Sequence, residues 1–149
     1  MGFETIVVGI DGSANASSAL HVAADLASSD SVIHVVTAYR PVSDREIAEV
    51  RARLPQEFHS SFDPIGPSRE MVARAERYLE ARRVDHKSHL VNENPASAIL
   101  DVAESVGADL IVVGSRGLGM ATRFIRGSTS ARIANHAHCS FLVVQETST

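Results

Sequence analysis

The stretch Asp109 to Ser130, DLIVVGSRGLGMATRFIRGSTS, decides how the chain is read. Leu110 to Gly114 is an unbroken apolar, β-branched run, the pattern of a strand buried on both faces of a parallel sheet. Directly after it, Gly114 to Ser130 carries four glycines and three arginines and closes on Gly-Ser-Thr-Ser. Glycines let backbone N–H groups approach an anion with no Cβ in the way. Gly127, Ser128, Thr129 and Ser130 then open a helix, whose N-terminal amides and positive dipole end form a second phosphate surface, with hydroxyls as added donors. This order predicts an α/β fold with an anion site at the carboxyl end of its sheet.

Working outward, four more runs read as strands: TIVVGI (Thr5 to Ile10), VIHVVTA (Val32 to Ala38), DHKSHLV (Asp85 to Val91) and FLVVQ (Phe141 to Gln145). Helical spacing appears between them at Leu20, Ala23, Ala24 and Ala27, at Ala75, Tyr78, Leu79 and Arg82, and at Ile99, Val102, Ala103 and Val106. Asn94-Pro95 supplies an N-cap and first-turn proline for the third of these helices, and Gly107 a C-terminal stop. A last helix, about Ser128 to His136, leads into the final strand. Alternating strands and helices imply right-handed βαβ units and an open five-stranded parallel sheet, order 3-2-1-4-5, with helices on both faces. The exception is Arg40 to Pro67, which holds four of the five prolines. It reads as a short helix flanked by mobile loop, a length of connection that often serves as a lid or partner surface.

Composition narrows the function classes. At 149 residues and 44% hydrophobic content, 1–149 reads as one domain able to bury its own core. The net charge is −4, with 14 basic and 18 acidic residues interspersed, so no broad positive field exists for nucleic acid. Cys139 is the sole cysteine, which excludes an intramolecular disulfide and fits a reducing compartment. The opening MGFETIVVGIDGS does not read as a secretory signal, and Ile6 breaks a myristoylation pattern at Gly2. No apolar run approaches the roughly 18 residues of a membrane span. A cytoplasmic protein without membrane contact is expected.

In an open α/β sheet the ligand crevice lies where the strand order reverses, here between the first and fourth strands. The two sequence oddities, GIDGS (Gly9 to Ser13) and GSRGLG (Gly114 to Gly119), sit at those two ends. The loop is not a P-loop, because no lysine follows the second glycine, and Gly-x-Gly-x-x-Gly belongs after the first strand. The spacing Gly114-x2-Gly117-x9-Gly127-Ser128 instead resembles the signature of the ATP-binding branch of the universal stress protein family. IVVGIDGSANASSAL resembles that family's opening strand and helix, NPASAILDVAESVGADLIVVGSRGLG its third helix and fourth strand, and HCSFLVV its closing strand.

The resemblance implies a Rossmann-like, adenine nucleotide alpha hydrolase-like fold and an adenine nucleotide as ligand. Gly9, Ile10 and Asp11 would line the nucleotide, with Asp11 at its ribose and phosphate end and near a divalent cation, Mg2+ or Mn2+. Val35 would meet the adenine edge through its backbone. Gly114, Arg116, Gly117, Gly127, Ser128, Thr129 and Ser130 would hold the phosphates of ATP. Three departures stand out: Glu93 replaces a common glycine, Arg126 a common leucine and Thr129 a frequent valine. The resemblance also implies a homodimer through the Phe141 to Gln145 edge strand, an apolar template that needs cover.

Plainer readings stand beside these. A carboxylate between strand and helix, as at Asp11, is often only an N-cap. Arg116, Arg123 and Arg126 either neutralise phosphate or point to water. His34 reads as a hydrogen-bonded core histidine, and His86 and His89 fall on opposite faces of their strand. His136, Ala137, His138 and Cys139 lack a second cluster at zinc-like spacing. Three uses compete: a nucleotide-gated regulatory or stress protein with an unknown protein partner, a slow metal-dependent ATPase or autokinase, and a cyclic AMP receptor.

Overall fold

The strands are β1 (Phe3–Gly9), β2 (Ala27–Tyr39), β3 (Asp85–Asn92), β4 (Leu110–Gly114) and β5 (Ser140–Val144), seen in a computed structural model that describes residues 2–115 and 128–145. They form one parallel sheet in the order β3-β2-β1-β4-β5, the order expected from the sequence. The helices are α1 (Ala14–Leu26), α2 (Asp44–Arg53), α3 (Gly66–Ala81), α4 (Pro95–Val106) and α5 (Ser128–His136), with a 3-10 turn at Gln56–Phe58.

Side-chain alternation divides the core between the two faces of the sheet. On one face Ile6, Val8, Ile33, Val35 and Val112 pack against Ala19, Leu20 and Ala23 of α1 and Val72, Ala75 and Leu79 of α3. On the other, Val7, Val36, Ile111 and Val113 pack against Ala98, Ile99 and Val102 of α4 and Ile133 of α5. Both central strands are therefore buried on both sides, as their apolar runs demand.

The helix ends follow local chemistry. Asn94 Oδ1 accepts the Ser97 N–H at 3.0 Å to start α4, and Gly107, at φ 66°, ends it in the left-handed conformation. Ser43 and Glu46 form a reciprocal capping box on α2. The Arg40 to Pro67 segment departs from expectation at its end, because α3 already begins at Gly66 with Pro67 in its first turn. No residue of α2 is buried.

The largest boundary correction is β2, which begins at Ala27 rather than Val32. Its register slips between Phe3↔Ala27 and Thr5↔Val32, so the polar Ser28 to Ser31 piece bulges against β1. The Ser31 hydroxyl donates to the Phe3 carbonyl and accepts the Ser28 N–H, replacing ladder partners that the bulge removes. At the same end, the Asp109 carboxylate accepts the N–H groups of Glu4 (2.8 Å) and Thr5 (3.1 Å), fastening the start of β1 to the turn before β4.

Candidate functional site

β1 and β4 are neighbours, but the chain leaves β1 for β2 and leaves β4 for β5, so the crossovers diverge above them. The β1–α1 turn is tightly specified. Ile10 N–H donates to the Val36 carbonyl at 2.9 Å, and the buried Thr37 hydroxyl donates to the Ile10 carbonyl at 3.4 Å. Asp11 Oδ1 accepts the Ser13 N–H at 2.9 Å, Gly12 takes φ 84°, and Ser13 Oγ accepts the Ala16 N–H at 3.1 Å. Ser13 is thus the N-cap of α1. Asp11 shapes the turn ahead of the cap, which corrects the N-cap reading of that carboxylate.

Gly114 meets this turn from the β4 side. A Cβ there would lie 2.7 Å from the backbone carbonyl carbon of Asn15 and 2.9 Å from its oxygen, so the first turn of α1 rests directly on the end of β4. The close approach gives Gly114 a packing role quite apart from any ligand. Asn15 itself is buried, as is Ser115, whose N–H donates to the Val144 carbonyl at 2.8 Å. Polar Asn15, Thr37 and Ser115 therefore line the crest, and sequence reasoning singled out none of them. One signal was present for Asn15: it falls four residues before Ala19 on the buried stripe of α1.

The remaining expected residues divide by position. Gly9 closes β1, and Val35 lies within β2 between Val8 of β1 and Ser88 of β3, its side chain fully buried. Ser128, Thr129 and Ser130 form the first turn of α5. Arg116, Gly117, Arg123, Arg126 and Gly127 lie outside the described residues. The structure brings together the Asp11 turn and Gly114, the two ends that sequence placed at the switch point.

Away from the crest, His34 Nδ1 and His89 Nε2 are 2.9 Å apart, one imidazole donating to the other. Burial pushes both below the usual histidine range, His34 further held down by its neighbours His89 and Lys87, and His89 by Lys87. His34 is the hydrogen-bonded core histidine that the sequence suggested. His86 faces the other way and pairs with the Val84 carbonyl at 2.9 Å. Burial raises the Cys139 thiol, with Asp109 adding to the shift, which disfavours the thiolate a nucleophile requires. Among the described residues no three histidine, cysteine, aspartate or glutamate side chains are grouped to hold a metal ion. Hydrogen bonding with Asp101 of α4 raises the carboxyl of Glu93, the residue that departs from glycine, with Arg132 opposing the shift.

A model described as "Universal stress protein family" matches residues 2–145. The chain is 33% identical over 144 residues to a universal stress protein of Thermus aquaticus, covering 96% of this chain and 99% of that protein. A solved universal stress protein in complex with cAMP superposes at a TM-score of 0.70 and 25% identity, over 97% of this chain and 98% of that one. A universal stress protein from Lactobacillus plantarum superposes at 0.74 and 19% identity, over 97% and 99%. Among the described residues no helix is long and apolar enough to cross a membrane.

Proposed function

Because the chain belongs to the universal stress protein family, we propose that it binds an adenine nucleotide at the crest between β1 and β4, with ATP as the preferred form. The observation that carries this reading is the contact of the α1 first turn with the end of β4, which holds the Asp11 turn beside the strand that opens the glycine-rich loop. In this reading 1–149 is one nucleotide-binding domain. Gly9, Ile10 and Asp11 line the nucleotide, Val35 meets its adenine edge, and Gly114, Arg116, Gly117, Gly127, Ser128, Thr129 and Ser130 surround the phosphates. The N-terminal amides of α5 supply a fixed positive end for them. Mg2+ or Mn2+ arrives with the nucleotide, and Asp11 stands near it.

Function on this reading is regulatory: nucleotide occupancy sets the conformation of the 40–67 segment and so the choice of protein partner, in the cytoplasm. The edge strand β5, with Phe141 37% exposed, pairs with its copy in a homodimer. Cyclic AMP is the second reading, favoured by the cAMP complex of the 25% identical relative. Slow hydrolysis or autophosphorylation is the third, supported only by Asp11 beside a triphosphate.

The test is to denature the purified protein, identify released nucleotide by mass spectrometry, and titrate the emptied protein with ATP and cyclic AMP. ATP release and tighter ATP binding are expected, with Asp11→Ala weakening ATP by about tenfold or more. A preference for cyclic AMP replaces the first reading with the second. Metal-dependent turnover lost in Asp11→Ala establishes the third, and binding of neither nucleotide overturns all of them.

A further inference from the structure

On the α1–α3 face the two helices leave a cleft of about 200 Å³. Its floor is core: Ile10, Ala16, Leu20 and Ala75. At the crest end Met71 presses on the β1–α1 turn, where a Cβ on Gly12 would fall 2.9 Å from its sulfur. The far end is closed by His21 stacked on Tyr78, with ring centroids 4.5 Å apart and planes at 25°. Arg82 locks that end across the two helices, donating to the Tyr78 hydroxyl at 2.8 Å and to Asp25 at 2.7 Å.

The mouth carries the charge. Arg74 lines it, and its nearest carboxylate oxygen, Glu70 Oε1, lies 3.6 Å away and is also engaged by Arg77 at 3.1 Å. One carboxylate oxygen thus serves two guanidinium groups, and the longer contact leaves Arg74 with N–H donors to spare. We infer that the cleft binds a small single-ring aromatic carboxylate, its ring on the apolar floor and its anion on Arg74. Size sets the class: an apolar cavity of about 150 Å³ accepts benzene, so this one takes one substituted ring and is too small for a nucleotide. Closure at both ends excludes an extended peptide. Sulfur at one end and stacked rings at the other favour an aromatic occupant over an aliphatic one, and the planar guanidinium favours a carboxylate.

The probe is 4-fluorobenzoate, followed by 19F NMR on the full chain, with 4-fluorobenzyl alcohol as its uncharged counterpart. A saturable shift is expected for the acid, with the alcohol weaker by about fivefold or more. Arg74→Gln, an exposed substitution, should weaken the acid about as much and leave the alcohol unchanged. Ser17→Trp, which roofs the cleft from an exposed position on α1, should abolish both. No saturable shift up to about 10 mM, weaker than any useful affinity scale, overturns the inference. So does binding that neither variant alters.

Discussion

The same sheet is closed differently on its two faces. On one, α4 and α5 pack side by side over an apolar core, flanked by the buried His34 and the half-buried His89 bonded to it. On the other, α1 and α3 are joined by the His21–Tyr78 stack and the Asp25–Arg82 ion pair at one end and by Met71 against Gly12 at the other, with a cleft between. Burial of apolar strand residues is equally complete on both. Both faces carry a cleft, and the difference lies in how it is closed. The α1–α3 cleft is the smaller and is pinned at both ends, whereas the α4–α5 side opens about 530 Å³ beside His136 to Cys139 and has more room to yield.

Truncation of the core tests that difference most strongly. Leu79→Ala on α3 and Ile99→Ala on α4 each remove a fully buried side chain, with an expected loss of about 2–5 kcal/mol in urea unfolding. Ile99→Ala should fall at the lower end, because neighbouring Leu100, Ala103 and Ile111 border the larger cleft and can relax into it. Equal losses would show that the two faces are equally stiff.

Gly114→Ala comes next. Its new methyl would meet the Asn15 backbone at 2.7 Å, so α1 must retreat, at about 1–3 kcal/mol. Urea unfolding measures the cost, and an unchanged midpoint would break the proposed contact between α1 and β4.

Acidification, read against a His89 variant, probes the His34–His89 pair and should have the smallest effect. His34 and His89 have lowered values in the folded protein, while unfolded histidine titrates near about 6.5. The unfolded chain therefore takes up protons first as pH falls, and stability drops below about pH 6.5 while staying flat just above 7. Thermal midpoints between pH 7.5 and 5.5 measure this, and His89→Gln should flatten the slope. A variant with an undiminished slope removes the pair as its cause.

What the sequence made legible was chemistry acting over a few residues. Asn94 and Gly107 bound α4 where a side-chain acceptor and a left-handed residue must lie, and apolar runs placed the strand order. What it hid depended on distant partners. The serines of Ser28 to Ser31 look like a turn until Phe3 offers a carbonyl for one hydroxyl. Likewise, nothing local to Asn15 or Ser115 reports that α1 descends onto the end of β4. At the candidate site the Asp11 turn and Gly114 were readable, but Gly114 has a packing reason that the glycine pattern alone does not reveal.

Since α2 contributes no residue to either core, the chain between β2 and α3 is free to lengthen, shorten or be cut without unpicking the sheet. Its arginines, Arg45, Arg51 and Arg53, make it a natural first site for trypsin. The same freedom makes this segment the place where family members of one architecture can diverge in length and carry new sequence, and where an engineered insertion would be tolerated best.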